Sequence, residues 1–178
     1  MLAANVGTQK TEARRGFSLV EAVGATLIVA IVMTASLRGL GEAVRHRAML
    51  RERERAWRFA TDLIAEAVSL PYQDPDVTGS GSIGLDGGES ASDRTTFDDV
   101  DDFHGYAESP LKTRSGAVIP NTAGWSRAAY VFWTDPNQPD EFAGSDEGMK
   151  VVSVLVTTPS GLTVGAAALR ARVDKQSP

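Results

Sequence analysis

Four aspartates fall within five residues in the stretch "TTFDDVDDFHGY": Asp98, Asp99, Asp101 and Asp102. Hard oxygen donors at this density suit Ca²⁺, which takes six to eight oxygen ligands. The stretch lacks the EF-hand spacing and its terminal glutamate, so a solvated acidic loop with helix-capping aspartates is the simpler expectation. Ca²⁺ is the one cofactor the residues allow, and none is required. A second carboxylate stands out for the opposite reason. Glu21 sits alone in "RRGFSLVEAVGATLIVAIVMTASLRG". An unpaired carboxylate in hydrocarbon costs roughly a few kcal/mol or more. Its chemistry is therefore ion pairing, and its partner has to come from somewhere.

Other chemistry is sparse. The chain has no cysteine, which excludes a disulfide scaffold, a thiolate metal site and a cysteine nucleophile. Its two histidines, His46 and His104, lie far apart. "GSGSIG" lacks the preceding strand and following helix of a phosphate-binding loop. No nucleophile–base set is legible, so no catalytic residue is assigned and the expectation is that the chain is not an enzyme. Between Asp74 and Glu108 there are ten acidic residues and one basic residue, Arg94; the remainder of the chain is net positive. An acidic middle of this kind is not a nucleic-acid signature.

These groups need elements to hold them. Residues 17–37 are 21 residues with one charge. At about 1.5 Å per residue they make roughly 31 Å of helix, a bilayer's hydrocarbon thickness. The leader ends in Arg14 and Arg15, which by the positive-inside tendency hold the N-terminus in the cytoplasm. Helical patterning continues without proline to Pro71. Ala60, Leu63, Ile64, Ala67 and Val68 form an amphipathic stripe. Glu54 and Arg58 are spaced for an i, i+4 pair, and Arg47, Arg51 and Arg55 line one face. That basic face suits lipid headgroups or a subunit contact.

The rest reads as loop, then sheet. "VTGSGSIGLDGGESASD" is loop by composition. Val100, Phe103 and Tyr106 punctuate the acidic stretch and can anchor it to a core. "GAVIP", "RAAYVFW", "MKVVSVLVTTP" and "LTVGAAALRARV" are β-rich and bounded by turn residues, which predicts an antiparallel meander of three or four strands. The segment "TDPNQPDEFAGSDEG" between them reads as a long acidic surface turn. The sheet's apolar face needs cover, and residues 57–68 of the helix are its expected partner. Trp57, Trp125 and Trp133 read as core or boundary aromatics. The fold class is α+β: a long N-terminal helix packed on a small antiparallel sheet.

The stretch "RRGFSLVEA" resembles the prepilin peptidase site of type IV pilins and type II secretion pseudopilins. The matching features are a short basic leader, Gly16, the aromatic Phe17, Glu21 four residues on, and an apolar helix after it. The match covers about the first forty residues. It implies a pilin-like fold divided as leader 1–16, transmembrane and assembly helix 17–38, amphipathic helix 39–70 and globular head 71–178. It implies cleavage between Gly16 and Phe17 by a prepilin peptidase on the cytoplasmic side, and N-methylation of the new Phe17 amine. The partners implied are that peptidase and methylase, the inner membrane and other pilin or pseudopilin subunits. The head would be periplasmic or part of an extracytoplasmic filament. Many type IV pilins carry a kinking proline near the end of the apolar run. Here Arg38, Gly39 and Gly41 stand in that place, and a local bend or melting there is expected instead.

Physics then gives Glu21 a purpose. Cleavage creates a cationic amine at the start of an apolar helix. A carboxylate on a neighbouring subunit can neutralise it, since buried ions are tolerated in pairs and penalised alone. The leading expectation is a minor pilin or pseudopilin. The runner-up is an acidic, Ca²⁺-binding domain on a simple membrane anchor that never polymerises. An anchored hydrolase is the third reading. Secretion, adhesion, motility and DNA uptake are not separated by anything in the head.

Overall fold

A computed structural model describes Gly16, residues 18–75 and residues 82–173. The chain divides into two compact units, Met1–Arg47 and Ala48–Pro178. One long helix, α1 (Leu19–Ser69), supplies residues to both. Among the described residues five strands follow: β1 (Ala107–Glu108), β2 (Ser126–Asp135), β3 (Gln138–Phe142), β4 (Met149–Thr157) and β5 (Thr163–Ala171). The class is α+β, with a small antiparallel sheet.

α1 starts where Ser18 can cap it and stops just before Pro71, whose ring disfavours a helical residue ahead of it. In the first unit every apolar side chain from Leu19 to Leu40 that is large is at least half exposed. The helix is long and apolar enough to cross a membrane. Gly39 and Gly41 are helical, so the melting expected there is not observed. The Phe17 half of the expected cleavage site lies outside the described residues.

In the second unit α1 buries Ala56, Ala60, Leu63, Ile64 and Ala67, a stripe at three- and four-residue spacing. Three of these five are alanines, which lets the sheet approach the helix closely. Trp57 is not part of the stripe. It lies one residue off the buried face and is 53% exposed, a boundary position and not a core one. Trp125 is buried and meets Phe59 edge to face at 5.5 Å.

The sheet order is β1-β2-β4-β5, and β3 pairs the far end of β2. Alternation places Arg127, Ala129 and Val131 of β2, Val152, Val154 and Val156 of β4, and Val164 and Ala166 of β5 on the inner face. Phe97, Val100, Phe103 and Tyr106 complete the core, so the acidic stretch is anchored by its apolar residues as expected. Phe97 meets Phe103 at 5.1 Å and Tyr106 at 5.7 Å, both edge to face.

Two strand expectations need correction. "GAVIP" forms no strand; Val118 makes a single bridge to Lys112. The expected surface turn contains β3, a fully exposed strand. Thr134, buried at the end of β2, donates through Oγ1 to the carbonyls of Pro139 (3.0 Å) and Glu141 (2.8 Å) and so ties β3 down.

Candidate functional sites

The start of α1 holds the first site. Glu21 N–H donates to Ser18 Oγ at 3.2 Å, and Ala22 N–H to the Ser18 carbonyl at 3.1 Å. Ser18 is therefore the N-cap and Glu21 the third helical residue, the S-x-x-E order of a capping box. That local role was readable in "SLVE", and it engages the main-chain N–H of Glu21. A carboxylate here also lies at the positive end of the helix dipole. Downstream, each hydroxyl of the apolar span satisfies itself. Thr26 Oγ1 donates to Val23 O (2.9 Å), Thr34 Oγ1 to Ala30 O (2.8 Å) and Ser36 Oγ to Val32 O (2.8 Å). Among the described residues the Glu21 carboxylate is exposed and has no such partner. Gly16 is exposed, with open space where a Cβ would sit.

The four aspartates form the second site, and they divide by role. Asp102 Oδ2 accepts the N–H groups of Asp98 (2.8 Å) and Asp99 (3.0 Å). Asp99 Oδ1 in turn accepts those of Asp101 (2.5 Å) and Asp102 (3.3 Å). The two carboxylates interlock to hold the 3-10 turn Asp101–Phe103. Asp101 Oδ2 instead meets Lys150 Nζ at 2.7 Å. Asp99, Asp101 and Asp102 are buried, and Asp98 alone of the four is exposed. The simple solvated loop is thus corrected for three of them, while the capping role holds for Asp99 and Asp102.

Burial sets their ionisation. Loss of solvent, then the Asp101 charge, pushes Asp99 up to about 7 against the pull of its N–H donors. Burial also raises Asp102; its N–H donors oppose this, and the neighbouring Glu89 carboxyl adds to it. Asp101 is raised by burial despite Lys150.

One oxygen each from Glu89, Asp98 and Asp102 lies within 4.8 Å of the others. These three could share a cation. They are half of a Ca²⁺ shell at most, and Asp102 Oδ2 already accepts two N–H bonds. Asp99 and Asp101 do not belong to this group. Glu89 was not singled out in the sequence: it lies in a Gly/Ser loop nine residues before Asp98, at no ligand spacing.

Ion pairs, two of them fully buried, tie the acidic segment and the loop before β4 to the rest of the second unit. Arg94, the one basic residue of the acidic segment, pairs with Glu66 of α1 and donates to Lys112 O at 2.7 Å. Arg127 Nε meets Glu108 Oε1 at 2.5 Å. Lys150 also donates to Tyr72 O at 2.5 Å. Arg172 pairs with Asp146, which takes the Tyr72 hydroxyl at 2.5 Å and the Gly148 N–H at 2.8 Å. Burial pushes Asp146 up, but the Tyr72 hydroxyl, the Gly148 N–H and Arg172 together hold it below the usual carboxylate range. The expected Glu54–Arg58 pair is not among the four ion pairs of the described residues. Arg55 leaves the basic stripe to lie over Trp125, 5.1 Å from the ring centre, and to donate to Asn121 O at 3.2 Å.

No protein-family model matches this chain, and no curated protein or solved structure does either.

Proposed function

We propose that the chain is a minor pilin or pseudopilin, a structural and non-enzymatic subunit of a type IV pilus or type II secretion filament. In this reading a prepilin peptidase cuts between Gly16 and Phe17, the Phe17 amine is methylated, and α1 carries the subunit from the inner membrane into the filament. The observation that carries it is Glu21, a carboxylate in an apolar span with no partner among the described residues. The hydroxyls of Thr26, Thr34 and Ser36 downstream all bond within the helix. A cationic amine on the adjacent subunit is the partner of matching charge. The pilin-like description of the fold rests on the same resemblance, with the α1 stripe covering the sheet in support.

The plain membrane anchor is the second reading, and two observations favour it. Glu21 lies in the first turn of α1, where the positive end of the helix dipole favours a carboxylate without any assembly. Charge also opposes a cytoplasmic N-terminus: Lys10, Arg14 and Arg15 precede the span, whereas Arg38, Arg45, Arg47, Arg51, Arg53 and Arg55 follow it within about twenty residues. Orientation in the leading reading therefore rests on the cleavage motif rather than on the arginine count. Mass spectrometry of the mature N-terminus separates the two. A methylated N-terminal Phe17 is expected. An intact Met1 in a cell with active prepilin peptidase would sink the filament reading.

A further inference from the structure

Two exposed features of the second unit match each other. The first is a groove of about 680 Å³ between α1 and the start of β5, walled by Leu50, Arg53, Glu54 and Trp57 on the helix and Leu162 and Thr163 opposite. Leu50 and Trp57 are each 53% exposed. This stretch of helix, residues 50–59, carries four arginines and two glutamates. The second feature is Phe142 at the end of β3, 70% exposed. Asp140 and Glu141 precede it, and residues 134–148 hold five acidic residues and no basic one.

Phe142 is held ready rather than free. Its ring packs on Phe132 at 4.8 Å between centres, and Thr134 fixes the β3 backbone beneath it. A preordered aromatic loses little entropy on docking.

The two features lie at opposite ends of the sheet. Phe142 pairs with Thr134, beside the Trp133–Lys150 pair at the start of β4. The groove adjoins Thr163, which pairs with Thr157 at the end of β4. The nine residues of β4 separate them, roughly 26 Å at 3.3 Å per residue. One chain cannot bring its own Phe142 to its own groove. An apolar knob and a pocket at different places on one surface make a head-to-tail contact, which extends instead of closing.

We propose that Phe142, with Asp140 and Glu141 beside it, docks into the Leu50–Trp57 groove of a second copy of this chain. The ring covers Leu50 and Trp57, and the carboxylates meet Arg53. This rests on the filament reading and adds to it which surfaces of the head meet.

The absence of cysteine allows a clean test in the full chain in its native membranes. Gly144→Cys places a thiol beside Phe142, in open space, and Thr163→Cys places one in the groove wall. Oxidation of the double variant should give a ladder of dimers, trimers and larger species. Each single variant should give none. A disulfide within one chain needs Cα atoms within about 7 Å, which the sheet length forbids. Arg53→Glu should weaken the ladder at least fivefold, and Glu141→Lys added to it should restore it to within twofold. Phe142→Ala should remove it. No ladder from a chain that is cleaved and incorporated would overturn this contact and leave the filament reading standing. Cross-links to other proteins alone would overturn the second copy as occupant. A ladder from a chain with intact Met1 would keep the contact and remove the filament reading.

Discussion

Lys150 Nζ lies 2.7 Å from Asp101 Oδ2, both buried, and joins the middle of the acidic segment to the first residues of β4. Lys150 also sits 4.1 Å from the centre of the Tyr72 ring. One ammonium thus holds the acidic turn, the segment after α1 and the sheet in one arrangement. Removing one partner of a buried pair leaves an uncompensated charge, at about 3–5 kcal/mol. Lys150→Met should therefore destabilise the head by that amount in urea unfolding. Lys150→Met with Asp101→Asn should cost less than the single change, because the stranded carboxylate is gone. Equal losses would mean that Asp101 carries no charge in the folded head.

The buried carboxylates predict an unusual pH dependence. Asp99 is raised to about 7, and Asp101 and Asp102 are raised with it. Between the ordinary carboxylate value near 4 and about 7, the folded head holds protons that the unfolded chain has released. Stability then falls as pH rises through that window. The head should melt higher at pH 5 than at pH 8, and Asp99→Asn should flatten the difference. A head that is more stable at pH 8 would contradict this assignment of burial as the dominant cause.

Cation binding at Glu89, Asp98 and Asp102 should be weak. Charge density raises local cation concentration, but affinity needs a preorganised shell of six or more oxygens. Micromolar Ca²⁺ should leave the melting temperature unchanged. A rise of many degrees, lost in Glu89→Gln, would make this a metal site.

The head should fold without the membrane span. The core lies in the second unit, where the α1 stripe and the inner faces of β2, β4 and β5 cover one another. A fragment from Glu42 onward should be soluble and show both helix and strand signals in circular dichroism. A fragment lacking both would mean that the span supplies part of the fold.

What the sequence disclosed follows from periodicity. The β-branched alternation of "VVSVLV" places β4 correctly, and the spacing of Ala60, Leu63, Ile64 and Ala67 gives the buried face of α1. β3 was hidden, because "QPDEF" carries a proline and two acids and is held by Thr134 from the preceding strand. Arg127 and Lys150 were hidden for another reason. A charge on a strand reads as solvent-facing, yet both point inward, to partners 19 and 49 residues away in sequence. Glu89 joined the acidic site through chain folding alone. At the start of α1 the opposite holds: the order Ser18, Glu21 is itself a cap signature, and the structure forms its main-chain half.

Glu21→Ala should leave processing and insertion intact and impair assembly. Removing the carboxylate eases insertion, because the charge in hydrocarbon is the costly part. The membrane-resident pool should not shrink. The cap survives, since Ser18 Oγ accepts a main-chain N–H that alanine retains. In a packed filament, however, the Phe17 amine of a neighbour would be buried unpaired, at about 3–5 kcal/mol by comparison with other broken buried pairs. That is enough to lower incorporation more than tenfold at each step. Glu21→Gln keeps an acceptor without the charge and should fail partially. The measurement is the ratio of filament-incorporated to membrane-resident protein at equal expression, for wild type and both variants. Ser18→Ala serves as the control, because it removes the cap and keeps the carboxylate. If Ser18→Ala lowers the ratio as much as Glu21→Ala does, any disturbance of the start of α1 impairs assembly and the carboxylate has no separate role. If neither changes it, Glu21 does not register subunits and the plain anchor is the better reading.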